Sequence, residues 1–157
     1  IRPLSDPEEV TTAACELLGK HLGATRVMYA EADKTGETVT FKRDCTNGEV
    51  TSMAGKSVRL DDFGTGIVDP LRSGQVVVID DVTADEKSAP YADAYAANGV
   101  RSFLSIPLMK EGKLRALLNA HDSKLHHWTD ENIEMAIDMV DRTWAAVEAA
   151  RAQGKLR

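Results

Sequence analysis

Apolar spacing predicts a helix near each end of the chain. After "SDPEEV", where Asp6 can cap a helix and Pro7 suits its first position, apolar residues recur at helical spacing as far as Gly23. A second helix follows Thr129, with two acidic residues in its first turn. Its apolar stripe is Ile133, Ile137, Val140, Trp144 and Val147. That spacing fits a heptad seam, and a stripe facing the core explains it nearly as well.

Alternation of apolar and polar residues predicts two hairpins between these helices. Residues 25–33 and 37–45 form the first pair of strands, and residues 102–109 and 113–122 form the second. Shorter helices and one apolar strand lie between the hairpins. Strands clustered at both ends, with flanking helices, predict an α+β fold in which an antiparallel sheet carries helices on one face.

Composition narrows the classes of function. The 157 residues, 43% of them hydrophobic, fit one globular domain with a core, and the net charge of −6 argues against nucleic acid or anionic membrane as partners. No apolar run approaches the roughly 20 residues that span a bilayer. Cys15 and Cys45 form no CxxC pair, so a reducing, cytoplasmic location is expected. A first residue of Ile1 rather than Met indicates a piece of a longer protein.

Three stretches together resemble a GAF domain. They are "GATRVMYAEADKTGETV", "VVVIDDV" and the block from Asn98 to Ile133, in which the part from Gly99 to Trp128 is the most specific. The resemblance covers nearly all of residues 1–157 as a single domain, with a core of about 6–150, and is closest to GAF domains of phytochrome-like proteins and sensor histidine kinases. Residues 142–157 resemble the helix by which such kinases leave this domain toward a downstream PAS or kinase module.

The resemblance implies an architecture and a role. Members fold as a central antiparallel sheet with the N- and C-terminal helices on one face, often at a dimer interface. Loops and short helices on the other face enclose a ligand pocket. Known ligands include cyclic nucleotides, bilins, haem and small metabolites, so the fold does not identify the ligand.

One departure from the family bears on the cofactor. Bilin-binding members carry a cysteine on the short helix about ten residues before the Gly-Val block, where this chain has Pro90 and Tyr91. No cysteine lies between Val50 and Arg157. No covalent bilin is therefore expected, whereas non-covalent binding of a tetrapyrrole stays open and the cofactor is unknown.

The segment "LLNAHDSKLHHW" holds three of the four histidines. Strand alternation places Leu117, Asn119 and His121 on one face, away from the small residues that would pack under the helices. His121 is then either a pocket residue or a structural histidine bonded to a backbone carbonyl, with the two readings near even. His126 and His127 are expected to be solvated loop residues. A metal site is not predicted, because zinc needs three or four converging ligands.

Aromatic and polar residues on the elements that would frame the pocket complete the predicted site. Each aromatic residue taken alone is explained by packing in the core. The aromatic residues taken together favour a partly apolar cavity. Arg43 is expected to share a face with Phe41 and to meet an anionic group. Of Asp80 and Asp81 at most one faces the pocket, and a turn or cap role is favoured. The predicted ligand-binding set is Tyr29, Phe41, Arg43, Asp81, Tyr91, Tyr95, Phe103, Ser105, Asn119 and His121.

These residues favour a binder over an enzyme, because no catalytic constellation is present. The sequence predicts a regulatory, small-molecule-sensing domain, the sensor part of a bacterial histidine kinase, that forms a homodimer through its terminal helices. One alternative is a dimerisation module with a vestigial pocket. The other, a methionine sulfoxide reductase, is less favoured because Cys15 and Cys45 do not match the cysteine arrangement of such enzymes.

Overall fold

The computed structural model describes residues 6–155 and has an α+β architecture. Its strands are β1 (Arg26–Ala32), β2 (Thr38–Thr46), β3 (Ser57–Arg59), β4 (Val77–Ile79), β5 (Ser102–Lys110) and β6 (Lys113–Asp122). Its α-helices are α1 (Pro7–Leu22), α2 (Thr65–Arg72), α3 (Ala92–Ala97) and α4 (Asp130–Lys155). Every neighbouring pair of strands is antiparallel, in the order β3-β2-β1-β6-β5-β4. The predicted fold class and both hairpins are confirmed.

Local capping explains where the two long helices begin and end. The Asp6 carboxylate accepts a hydrogen bond from the Glu8 amide at 2.9 Å, and Gly23 closes α1 with a left-handed φ of 65°. Before α4, the Thr129 hydroxyl accepts from the Asn132 amide, and the Asn132 side chain accepts in return from the Thr129 amide, each at 3.1 Å. These reciprocal bonds confirm the helix starts that the sequence predicts.

The two faces of the sheet bury different layers of side chains. One face packs under α1 and α4, through residues that include Leu18, Val27, Leu104, Leu118 and Val140. The other face packs against α2, α3 and the connecting loops, through residues that include Met28, Phe41, Ile67, Phe103 and Leu117. Successive residues of a strand point to opposite faces, so Leu117 and Leu118 belong to different layers, as predicted.

The apolar stripe of α4 faces its own sheet. Its buried positions are Ala136, Val140, Thr143, Val147 and Ala150. Ile137, which the sequence placed in this stripe, is instead 39% exposed. Because Val140 and Val147 are buried inside the chain, they cannot also form the predicted seam between two copies. Dimerisation through the terminal helices stays a prediction, and residues 156 and 157 of the predicted exit helix lie outside the described residues.

A β-bulge reverses one predicted side-chain direction. Tyr29 pairs with Arg43 and Ala30 pairs with Phe41, so Lys42 is an extra residue on β2. The extra residue turns Arg43 to the helix face, where its guanidinium pairs with the Glu8 carboxylate of α1. The prediction that Arg43 and Phe41 share a face is therefore wrong.

Candidate ligand-binding site

A cavity of about 420 Å³, partly open to solvent, lies between the sheet and the layer of loops and short helices. This volume is within the range of roughly 300–1,000 Å³ that small-molecule sites occupy. Its lining is mainly apolar, and it comes from every strand except β4. The lining residues are Met28, Val39, Phe41, Met53, Lys56, Ser57, Val58, Leu60, Phe63, Ile67, Val68, Leu71, Tyr95, Asn98, Val100, Phe103, Ser105, Leu117, Asn119 and His121.

Six of the ten predicted site residues meet at this cavity. The Tyr95 and Phe103 rings stack with centroids 5.2 Å apart, and Phe103 contacts the His121 ring edge-on at 6.4 Å. The Ser105 hydroxyl donates a hydrogen bond to Oδ1 of Asn119 on the adjacent strand. The six residues that line the cavity are Phe41, Tyr95, Phe103, Ser105, Asn119 and His121.

The other four predicted residues lie elsewhere. Tyr29 is 1% exposed and packs under the helices, because its strand neighbour Met28 takes the cavity side. Arg43 also lies on the face of the sheet that packs under the helices, because the β-bulge at Lys42 turns its side chain there. Tyr91 is half-buried outside the lining, and its ring covers Gly64 so closely that a Cβ there would collide.

Asp81 has the turn role that the sequence favoured. Its carboxylate accepts from Nε and Nη2 of Arg101, at 2.9 and 3.3 Å, and from the Thr83 amide at 3.0 Å. These bonds, the Arg101 guanidinium first, hold the pKa of Asp81 well below its usual range. Neither Asp81 nor Asp80 lines the cavity, so the place of Asp81 in the predicted ligand set is corrected.

The polar end of the cavity is organised by Arg26, a buried residue that the sequence analysis did not select. Its Nη1 donates to the Thr51 carbonyl at 3.0 Å, and its Nη2 donates to the Asn98 carbonyl at 2.8 Å. Nε and Nη2 also lie 3.2 and 3.0 Å from Nδ1 of His121. One guanidinium therefore joins β1, β6 and two covering loops.

This contact fixes the tautomer of His121. A guanidinium has only donors, so Nδ1 must accept and the ring proton must sit on Nε2. Burial, and secondarily the Arg26 charge, lowers the pKa of His121 to about 3. His121 is therefore a neutral hydrogen-bond donor at physiological pH, and its bond is to a side chain rather than to the backbone carbonyl of the alternative reading.

His121 is expected to make the domain less stable in mild acid. Its pKa is about 3 in the folded chain against 6.5 for a free histidine, so only the unfolded state gains a proton between these values. The stability that His121 contributes is complete above about pH 6.5 and is lost as the pH falls toward 3. Replacing His121 with glutamine should remove up to about 1.4 kcal/mol per pH unit from the slope of the free energy of unfolding. Urea denaturation at a series of pH values measures this slope, and an NMR signal assigned to the His121 imidazole that titrates near pH 6.5 would contradict it.

The remaining histidines of the segment take structural positions. His126 is half-buried rather than solvated, since its ring stacks on Trp128 at 3.7 Å and its Nδ1 lies 2.8 Å from the Asp122 carboxylate. His127 is exposed, as predicted, with its Nδ1 2.8 Å from Asp80. Within residues 6–155 no group of three or more histidine, cysteine, aspartate or glutamate side chains could hold a metal ion.

The cysteines lie on the side of the sheet opposite the cavity. Cys15 is a buried residue of α1, and Cys45 of β2 packs against the same layer. Burial first, and then nearby negative groups, raises the pKa of Cys15 to about 12, so this thiol stays protonated and unreactive. Neither sulfur can reach a molecule in the cavity.

Sequence reasoning missed four polar residues of the cavity region: Arg26, Lys56, Ser57 and Asn98. A signal existed for Arg26, which is a lone charge in the otherwise apolar strand "RVMYA". Lys56 and Asn98 lie on polar loops that look ordinary in the sequence. The loops are held closely, since a Cβ on Gly99 would lie 2.7 Å from Cγ1 of Val50.

A sheet with terminal helices on one face and a cavity on the other defines a class of small α+β ligand-binding domains. The model of the GAF domain family matches residues 6–147, and this chain belongs to that family. No curated protein sequence matches the chain. Among the described residues, no helix combines the length and apolar character needed to cross a bilayer.

Solved GAF structures share this fold at low sequence identity. The blue-light absorbing form of the Thermosynechococcus elongatus PixJ GAF domain is 14% identical, with a TM-score of 0.79 over 96% of this chain and 90% of that one. The phycocyanobilin-bound GAF domain of a cyanobacterial phytochrome is 21% identical, with a TM-score of 0.75 over 96% and 88%. A phycoerythrobilin-bound GAF domain is 18% identical, with a TM-score of 0.79 over 96% and 90%.

Proposed function

We propose that this GAF domain is a regulatory sensor that binds a small molecule non-covalently in its cavity. The observation that carries the proposal is the 420 Å³ cavity, whose apolar walls converge on a few fixed polar groups. Apolar walls with a small number of placed hydrogen-bonding groups are typical of ligand sites. Catalysis is not part of the proposal, because the two thiols that a methionine sulfoxide reductase would use lie on the other face of the sheet.

Solved relatives in fold hold phycocyanobilin and phycoerythrobilin. In this chain the site supplies hydrogen bonds and apolar contact but no thiol, since Cys15 and Cys45 lie on the helix side of the sheet. A bilin or any other ligand would therefore be held reversibly. The ligand would be lost on denaturation, unlike a thioether-linked group.

The structure also offers a route from the cavity to α4. Glu31 of β1 follows Ala30, which packs in the layer around the cavity. The Glu31 carboxylate accepts two hydrogen bonds from Nη2 of Arg151 near the end of α4, at 2.9 and 2.7 Å. A ligand that shifts β1 would move this end of the helix. This connection supports a role as the sensor part of a bacterial histidine kinase, with α4 leading to a PAS or kinase module.

Native mass spectrometry and absorption spectroscopy of the freshly purified chain test the proposal. The expected result is a bound mass, or uptake of one from a set of cavity-sized compounds, that is released on denaturation. Val58→Trp, which fills the cavity from its β3 edge, should abolish binding. Leu125→Trp is the matched control, because Leu125 is exposed and outside the lining.

Two outcomes would contradict the proposal. A folded chain that carries nothing and takes up no compound would favour the dimerisation module. Methionine sulfoxide reduction by the chain, lost when the cysteines are replaced by serine, would favour the reductase.

A further inference from the structure

Among the described residues, the cavity lining carries positive charge and no negative charge. Of the described residues that line it, Lys56 is the only charged one, and no aspartate or glutamate is among them, although the chain as a whole carries a net charge of −6. Lys56 is exposed at the opening, and its ammonium group forms no hydrogen bond or ion pair with the residues that the structure describes. An unpaired cation at the opening attracts anions and repels cations.

A second positive charge lies behind the inner wall. The Arg26 guanidinium is 1% exposed, and its hydrogen bonds all go to neutral acceptors. Asp44 is the acid that influences it, but the two do not form an ion pair within residues 6–155. The Asp44 oxygens instead accept from the Ser52 hydroxyl at 2.7 Å and the Met53 amide at 2.6 Å. The Arg26 guanidinium therefore adds positive charge behind the inner end of the cavity, which the nearby Asp44 carboxylate partly offsets.

The polar groups at that end are hydrogen-bond donors. Because Arg26 occupies Nδ1 of His121, the Nε2 hydrogen is left without a partner among the described residues. The Ser105 hydroxyl likewise occupies Oδ1 of Asn119 and leaves the amide hydrogens of that side chain. Both residues line the cavity. A ligand that fills the site must bring hydrogen-bond acceptors to this end.

We infer that the cavity takes an apolar organic anion, a carboxylate whose oxygens accept hydrogen bonds from His121 and Asn119 at the inner end. The inference rests on the proposed ligand-binding function and specifies its chemical class. The Arg26 guanidinium behind His121 stabilises the carboxylate without touching it. Lys56 at the opening raises the local concentration of anions, and the apolar walls contact the body of the ligand.

Three probes with one apolar body and different charges test this class. They are 4-phenylbutyrate, 4-phenylbutan-1-ol and 4-phenylbutylamine, titrated calorimetrically into the whole chain at pH 7. The carboxylate should bind at least about tenfold more tightly than the alcohol, and the amine should bind most weakly. NMR shifts of Phe103 and Leu117 place the bound probe in the cavity.

Matched variants assign the effect to the named groups. Lys56→Glu should weaken carboxylate binding about tenfold and reduce the difference between carboxylate and amine, whereas Lys113→Glu, exposed at the β5–β6 turn, should change neither. His121→Phe should weaken the carboxylate more than the alcohol. Equal binding of carboxylate and alcohol, tightest binding of the amine, or no effect of Lys56→Glu would overturn the anion class while leaving a ligand-binding cavity. No binding of any probe would count against the anion class and the proposed function together.

Discussion

Replacing Arg26 with methionine is expected to lower the free energy of unfolding by about 3 kcal/mol. Methionine fills much of the space but donates no hydrogen bonds, so the carbonyls of Thr51 and Asn98 and Nδ1 of His121 all lose their donor. Each hydrogen bond from a charged donor is worth about 1.5–3 kcal/mol net. Removing the buried cation also removes its desolvation penalty. This offsets part of the loss and leaves a net change of about 3 kcal/mol.

Urea denaturation followed by circular dichroism measures this change. Arg59→Met is the matched control, because Arg59 is exposed at the end of β3, and its replacement should change the free energy of unfolding by less than about 0.5 kcal/mol. Arg26→Lys should be nearly as destabilising as Arg26→Met, since one ammonium cannot serve three acceptors that lie in different directions. A loss below about 1 kcal/mol for Arg26→Met would show that the guanidinium does not hold the covering loops.

Two adjacent leucines of β6 are expected to respond very differently to truncation. Leu118 is 1% exposed in the layer beneath α1 and α4, so Leu118→Ala opens a closed void and should destabilise the fold by about 3–4 kcal/mol. Leu117 borders the existing cavity, so Leu117→Ala enlarges a space that water or a ligand can enter. The expected loss of stability for Leu117→Ala is about half that for Leu118→Ala, because the energetic penalty of an empty void is smaller where the space can be filled.

The comparison needs both variants, measured by the same denaturation experiment. Each substitution removes the same atoms from the same strand, so strand propensity and the unfolded state are closely matched. The difference between the two free energies then reports which face of the sheet carries the cavity. Equal losses, or a larger loss for Leu117→Ala, would mean that the cavity is closed in solution.

Local patterns in the sequence were sufficient for the elements and for part of the site. Capping residues and helical spacing located α1 and α4, since these depend on neighbours a few residues apart. Alternation along β6 correctly placed Asn119 and His121 on the face opposite the helices. The absence of a cysteine after Val50 ruled out a thioether bond to a bilin from that part of the chain.

The side-chain direction predicted from alternating residues was wrong at the β-bulge, where the register between β1 and β2 shifts by one residue. The bulge at Lys42 turns Arg43 toward α1, and nothing in "TFKRDC" marks the extra residue. Tyr29 is predicted to line the pocket because it is an aromatic residue on an element that would frame it. Its direction was decided by the pairing of β1 with β6, which sends Met28 to the cavity. The face to which a strand residue points depends on how two chain segments pair, so it cannot be predicted from one segment alone.

The sequence by itself determined the positions of the main helices and hairpins and the face on which His121 lies, because these follow from short-range periodicity and capping. The family fold came from the resemblance of three sequence stretches to GAF domains. Only the tertiary structure decided what His121 does. Arg26 and His121 are 95 residues apart, and the pairing of β1 with β6 sets them side by side. That contact fixes the tautomer of His121 and leaves its Nε2–H as a hydrogen-bond donor at the inner end of the cavity. The same guanidinium joins the covering loops to the sheet. Hydrogen bonds act over about 3 Å, so the chemistry of this site exists only once the strands are in register.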